Sequence, residues 1–259
     1  MTKNLPLAGL TIVVTRPQEQ AGMLLQGIKA LGGTAVSFPL LKINPLNDNA
    51  LLRELIARLH EFQLAIFISP NAARFGMAAI NTGGGLPAGL QIATIGLSSA
   101  QALRELGVHK VIAPQHQFDS ESLLALPELQ NVKDMHIVIF RGDEGRELLA
   151  DTLKSRGATV EYAACYHRSK PHNNINALLA ANPDILGVSS SEALKNLTDM
   201  LEPAQREQLS ILPLFVSHQR IALAARQLGW QNVINADGGD EGLLAALINW
   251  SAQHKGNES

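Results

Sequence analysis

Residues 12–34 read IVVTRPQEQAGMLLQGIKALGGT, and residues 137–159 read IVIFRGDEGRELLADTLKSRGAT. Laid over one another without a gap, at an offset of 125, they share Ile12/Ile137, Val13/Val138, Arg16/Arg141, Glu19/Glu144, Lys29/Lys154, Gly32/Gly157 and Thr34/Thr159. Each stretch opens on an apolar, β-branched run of strand length and turns at an arginine. In the first copy, helical spacing follows over Glu19–Leu31, with Met23, Leu24, Ile28 and Leu31 on one face. Gly32-Gly33 ends that helix, because glycine accepts the left-handed conformation at a helix end.

The repetition continues outward from these blocks. R-x-L-G-x-x-x-V-I occurs as Arg104–Ile112 and again as Arg226–Ile234, an offset of 122. Glu121-Ser122-Leu123-Leu124-Ala125 matches Glu241-Gly242-Leu243-Leu244-Ala245, an offset of 120. Three blocks in one order at nearly one offset identify two copies of one unit. Between them, Leu10–Thr15, Val36–Ile43, Ala65–Ser69, Ile92–Gly96, Val111–Ala113, Ile137–Arg141, Val160–Tyr166, Ile185–Ser189, Leu214–Ser217 and Val233–Ala236 read as strands. Leu51–Leu59 and Asn71–Ile80 read as helices, and helical stretches fill most other gaps. Such alternation predicts an α/β fold of parallel sheets covered by helices.

Composition narrows the function. The chain has 259 residues, 46% hydrophobic, enough for sizeable cores in one or two domains. Its 21 Lys+Arg and 23 Asp+Glu give a net charge of −2, which argues against binding nucleic acid or an acidic membrane by a strong overall field. A single cysteine, Cys165, forbids a disulfide within the chain and fits a reducing compartment. Met1–Leu10 lacks a signal peptide's basic start and long apolar core, and no run approaches the ~20 apolar residues of a membrane span. The expectation is a soluble, cytoplasmic monomer.

In open parallel sheets, ligands bind beyond the carboxyl ends of the strands. The residues that follow the predicted strands are Arg16-Pro17, Ser69-Pro70-Asn71, Gly96-Leu97-Ser98-Ser99, Arg141-Gly142-Asp143-Glu144-Gly145-Arg146, Ser189-Ser190-Ser191 and Ser217-His218-Gln219-Arg220. Small hydroxylic residues, glycine and arginine recur there at helix starts, where free backbone N–H groups attract anions. Any one serine reads first as an ordinary helix cap; six such turns point to a ligand with several anionic groups. No G-x-G-x-x-G follows the first strand, no Walker loop or G-x-S-x-G elbow is present, and the eight histidines show no metal-ligand spacing. Neither a metal nor a cofactor is expected. Cys165 reads as a small buried residue near a strand end. A two-lobed solute receptor remains an alternative class, as does a nucleotide-dependent α/β enzyme, against which the missing phosphate motifs weigh.

These residues resemble the uroporphyrinogen-III synthase family. The resemblance runs from Thr11 to about Ala246 through V-T-R-P (Val14–Pro17), F-P-L-L-K-I (Phe38–Ile43), I-F-I-S-P-N-A (Ile66–Ala72) and I-G-x-S-S-A-x-A-L (Ile95–Leu103). Its most specific stretch begins R-G-x-x-G-R-x-x-L at Arg141 and continues through Gly157 to Tyr166 and Arg168; S-S-S-E-A-L (Ser189–Leu194) follows.

The resemblance implies two flavodoxin-like parallel-sheet domains joined by a two-stranded linker, with segments exchanged between the copies. Domain 1 would comprise residues 1–37 and 170–259, domain 2 residues 44–161, and the linkers residues 38–43 and 162–169. The cleft between the domains would be the active site. The implied substrate is hydroxymethylbilane, a linear tetrapyrrole with eight carboxylates. It loses its terminal hydroxyl as water and closes with ring D inverted through a spiro-pyrrolenine, in haem biosynthesis. Transient contact with the supplying enzyme, hydroxymethylbilane synthase, is compatible with that role. Tyr166 matches the family's tyrosine and would hydrogen-bond the departing hydroxyl, or else pack the linker. Arg16, Arg141 and Arg146 are candidate carboxylate contacts. Ser69, Pro70, Asn71, Gly96, Ser98, Ser99, Gly142, Ser189, Ser190, Ser191, Ser217, His218 and Gln219 are the candidate binding turns. One departure stands out: where the family commonly has G-x-x-T-A, this chain has Ser217-His218-Gln219-Arg220-Ile221, so which N–H groups serve that turn is open.

Overall fold

The computed structural model describes residues 5–46, 49–143, 147–236 and 239–255. Among them are ten strands: β1 (Thr11–Val14), β2 (Thr34–Ser37), β3 (Lys42–Pro45), β4 (Leu64–Phe67), β5 (Gln91–Thr94), β6 (His136–Gly142), β7 (Thr159–Ser169), β8 (Ile185–Val188), β9 (Leu214–Val216) and β10 (Val233–Asn235). The chain divides into two compact units, Met1–Lys42 with Ser169–Ser259, and Ile43–Arg168.

The first unit holds a sheet of order β2-β1-β8-β9-β10, with every neighbouring pair parallel. In the second the order is β3-β7-β6-β4-β5, and β7, β6, β4 and β5 run parallel. The repeat now has a structural meaning. β1 and β2 correspond to β6 and β7, and β8 and β9 to β4 and β5. An isolated parallel bridge, Ala93 to Ile112, stands where β10 lies in the first sheet. β3 is an added edge.

The central strands are apolar on both faces because helices cover both faces. In the first unit, Val13, Leu186, Val188, Leu214 and Val216 face one core with Leu194, Leu197 and Ile221. Ile12, Val14, Ile185 and Phe215 face the other with Leu24, Ile28 and Leu247. In the second unit, Leu64, Ile66, Ile137 and Ile139 share a core with Leu149 and Leu153. On the opposite face Phe67 and Phe140 stack at 4.6 Å. Helix Pro70–Thr82 crosses those rings at Gly76, where a Cβ would stand 2.7 Å from Phe140 and 2.8 Å from Phe67.

Several expectations change. The run Val36–Ile43 is two strands in two sheets, β2 and β3, parted at Pro39, which lacks an N–H to continue a ladder. Val111–Ala113 contributes only the bridge at Ile112. Helix Gln18–Ala30 buries Ala21, Leu24 and Ile28, whereas Met23 is 79% exposed, about 100° round the helix from Leu24. Of the stretches read as a two-stranded linker, residues 42–43 lie in β3 and residues 162–169 in β7. Phe38 and Leu40 lie in the first unit's core, and Tyr162, Ala163, Ala164 and Tyr166 are in register with β6.

Candidate active site

Each sheet reverses its direction of winding beside its first strand. The chain moves outward from β1 to β2 in the first unit and from β6 to β7 in the second, so β8 and β4 lie on the opposite sides. The crevice at the carboxyl ends of β1/β8 and of β6/β4 is where such sheets take ligands.

In the second unit, Ser69 caps helix Pro70–Thr82, its Oγ accepting the Ala72 N–H at 3.0 Å, with Pro70 at the first turn. Proline's fixed φ and missing N–H suit that position. Ser69 Oγ also lies 3.2 Å from the Tyr166 hydroxyl, and either oxygen can donate. Tyr166 belongs to β7, two strands from β4, and reaches Ser69 across β6. It passes where Gly142 has no side chain: a Cβ there would stand 3.0 Å from the ring. Phe75 supports the ring at 5.8 Å, and Tyr166 is only 2% exposed. Asn71 is half-buried beside them.

Arg141, at the end of β6, is 5% exposed. Its Nη1 donates to Glu147 Oε1 at 2.9 Å, and its guanidinium lies 4.5 Å from the centre of the Tyr162 ring. The Tyr162 hydroxyl donates to Glu147 and closes a three-membered cluster. Those hydrogen bonds, Tyr162's first and then Arg141's, hold the Glu147 carboxyl below its usual range. Burial, and then the bond to Glu147, push the Tyr162 phenol up to about 12. Behind Arg141, the Cys165 thiol donates to its carbonyl at 3.3 Å, and burial raises that thiol to about 12. Cys165 is therefore protonated near neutrality, a packing group with no nucleophilic character. Gly96 starts helix Leu97–Glu105; Ser98 is exposed on it and Ser99 is buried. Thr94 Oγ1 donates to Phe67 O at 2.6 Å and ties β5 to β4.

The first unit repeats the plan with different details. Thr15 Oγ1 donates to Gly187 O at 2.7 Å and ties β1 to β8. Ser190 caps helix Ser191–Met200, accepting the Ala193 N–H at 3.0 Å, the same distance as at Ser69. Ser217 Oγ donates to Ser189 O at 3.1 Å and joins two neighbouring turns. His218 stands at the cap of helix Gln219–Gln227 without a side-chain bond, and His218 and Gln219 are exposed. Arg16 pairs with Asp240, their side chains 20% and 24% exposed. Arg16 also lines a narrow crevice, whose rim includes Gly187, Ser189, Ser217 and Gly239 and whose walls are largely apolar, among them Val14, Phe215 and Leu243. Arg146 lies outside the described residues. Among the described residues, no three His, Cys, Asp or Glu side chains are grouped to hold a metal, and no helix is long and apolar enough to cross a membrane.

The family model for uroporphyrinogen-III synthase HemD matches residues 23–245. Uroporphyrinogen-III synthase of Escherichia coli (strain K12) is 34% identical over 245 residues, covering 92% of this chain and 100% of that one. The chain belongs to the uroporphyrinogen-III synthase family. The Salmonella typhimurium synthase is likewise 34% identical, with 92% of this chain and 100% of that one covered. The fold agrees. A mutant uroporphyrinogen III synthase from the extremely thermophilic bacterium Thermus thermophilus aligns with TM-score 0.65 at 19% identity, over 95% of this chain and 100% of that one. The Helicobacter pylori synthetase aligns with TM-score 0.62 at 15% identity, over 93% and 99%. Family membership makes the chain an enzyme of tetrapyrrole biosynthesis.

Of the residues expected at the site, the second unit gathers Tyr166, Ser69, Pro70 and Gly142 into one cluster, with Arg141 next to Gly142 on the strand end. The first gathers Arg16, Ser189 and Ser217 around one crevice. Sequence reasoning missed Glu147, Tyr162 and Asp240, the partners of the two repeated arginines. Their signal was weak: Glu147 follows Arg141 by six residues, whereas Asp240 is 224 residues from Arg16 and no pattern connects them.

Proposed function

We propose that the protein converts hydroxymethylbilane to uroporphyrinogen III, without a cofactor, by holding the substrate's carboxylates on helix-start turns. One observation carries this reading beyond family membership: the same capped helix N-terminus follows β4 and β8, with Ser69 and Ser190 in equivalent roles. Helix starts present unpaired N–H groups and a partial positive charge. The turns that start at Ser69, Gly96, Ser189 and Ser217 then supply donors, Pro70 excepted for want of an N–H, for a polyacid in a chain whose net charge is −2.

The chemistry needs little else. The terminal hydroxyl takes a proton and leaves as water, and the pyrrole nitrogen's lone pair forms the electrophilic azafulvene. The substituted α-carbon of ring D then attacks that methylene, giving the spiro-pyrrolenine. Fragmentation and re-closure deliver the inverted ring, and loss of the ring carbon's proton restores aromaticity. No oxidant or reductant enters. Unaided, the same substrate closes without inversion, so the enzyme's contribution is to select a folded conformer. Tyr166 would donate to the departing hydroxyl and Ser69 would hold its phenol in place. Because Tyr166 is 2% exposed, that contact requires local opening of whatever covers the ring. Gly142 makes room for the ring and Arg141 fixes the strand end.

Incubating purified protein with freshly made hydroxymethylbilane, then oxidising and separating the porphyrin isomers, tests the proposal. Isomer III in excess is expected. Isomer I alone, at the rate seen without protein, would overturn it.

A further inference from the structure

The two repeated arginines, Arg16 and Arg141, stand at equivalent strand ends but are held differently. Arg141 is closed on two sides by Tyr162 and Glu147 and is 5% exposed. In the first repeat, the position matching Tyr162 at the offset of 125 is Ser37, and that matching Glu147 is Gly22. Arg16 therefore has neither the ring nor that carboxylate. Its partner, Asp240, comes from the first turn of helix Gly239–Lys255, near the other end of the chain. Asp240 Oδ1 is buried and is the oxygen that meets Arg16 Nη1; among the described residues it has no other partner. Arg16 lines the β1/β8 crevice, the position where a sheet of this order takes its ligand, together with Gly239, the chain neighbour of Asp240.

We propose that Asp240 is a resident stand-in for a substrate carboxylate: it occupies Arg16 in the empty enzyme and yields it when hydroxymethylbilane binds. The inference rests on the function proposed above. Competition from within the chain lowers apparent affinity by the fraction of time that Arg16 is occupied. It also keeps the guanidinium from smaller anions, which cannot offset the exchange with contacts elsewhere. Arg141, stacked on Tyr162 and more buried than Arg16, is the harder of the two to free. Glu147 and Tyr162 make it a fixed part of the turn, and the duplicated arginines have divided a reading role from a scaffolding one.

Kinetics of Asp240→Asn test the assignment. Asparagine keeps the volume of the first-turn side chain, so the change is one of charge. KM for hydroxymethylbilane is expected to fall about three- to fivefold with kcat unchanged, the size expected for a partly exposed ion pair. Inhibition by a small dicarboxylate such as succinate is expected to strengthen. In an Arg16→Gln background the Asp240→Asn effect should vanish, because it acts through Arg16. Glu147→Gln should lower the thermal midpoint without lowering KM. A folded, active Asp240→Asn enzyme whose KM is unchanged or raised overturns the proposal, as does an equal fall in KM for Glu147→Gln. If Asp240→Asn fails to fold, Asp240→Ser, smaller and also without charge, carries the same expectations. Wild-type protein that forms no isomer III would defeat the function itself; active wild type with an indifferent Asp240→Asn defeats only this inference.

Discussion

Gly142 is the residue on which the tyrosine's placement turns. The register of β7 against β6 slips between Arg141 and Gly142, so Gly142 faces Tyr166 and not Cys165. A one-residue slip exchanges the two faces of a strand, and here it aims the phenol across the sheet at Ser69. Tyr166→Phe keeps the ring and loses the hydroxyl, and kcat should fall about ten- to a hundredfold with stability nearly intact. Gly142→Ala keeps the hydroxyl but puts a methyl 3.0 Å from the ring. It should lower kcat by a similar factor and destabilise by about 1–3 kcal/mol, read from urea midpoints. Full activity in Gly142→Ala would mean that the ring's position is unimportant. Tyr166 was legible through its family motif. Its contact with Ser69, 97 residues away, was not, because it depends on a register that no local pattern encodes.

Among the elements, the helix-start turns divide into two chemical kinds. Ser69 and Ser190 cap their helices alike, and replacing either by alanine should cost about 1 kcal/mol, measurable by chemical denaturation. Their kinetic effects should differ. Ser69→Ala also strips the Tyr166 hydroxyl of its neighbour and should lower kcat, whereas Ser190→Ala should act on KM. Equal effects on both constants would argue against separate roles. Most strands and several helices could be read from the chain, since a strand buried on both faces is a short apolar run bounded by turn residues. The reading failed where that signal thins. Val111–Ala113 is as apolar as a strand but yields a single bridge. The Val36–Ile43 run concealed a change of sheet, because Phe38 and Leu40 stay apolar while the backbone passes from β2 to β3.

For the molecule as a whole, the repeat is the dominant fact. Matching blocks at nearly constant offsets made the duplication visible. They could not say which copies share a sheet, because equivalence in sequence carries no information on strand neighbours; the family resemblance supplied that. The second unit, Ile43–Arg168, is continuous and owns a complete sheet with its own core. Expressed alone, residues 43–168 should unfold cooperatively in urea and show no isomer III activity. A gradual, non-cooperative melt would contradict its autonomy. The first unit is assembled from both ends of the chain, and its inner strand β1 pairs on one side with β8. On the ribosome, β1 and β2 emerge first yet wait for a neighbour encoded about 150 residues later, roughly 7 to 30 s at common elongation speeds. The half whose synthesis starts later thus matures first. During that interval the exposed flank of β1 is a natural client for chaperones.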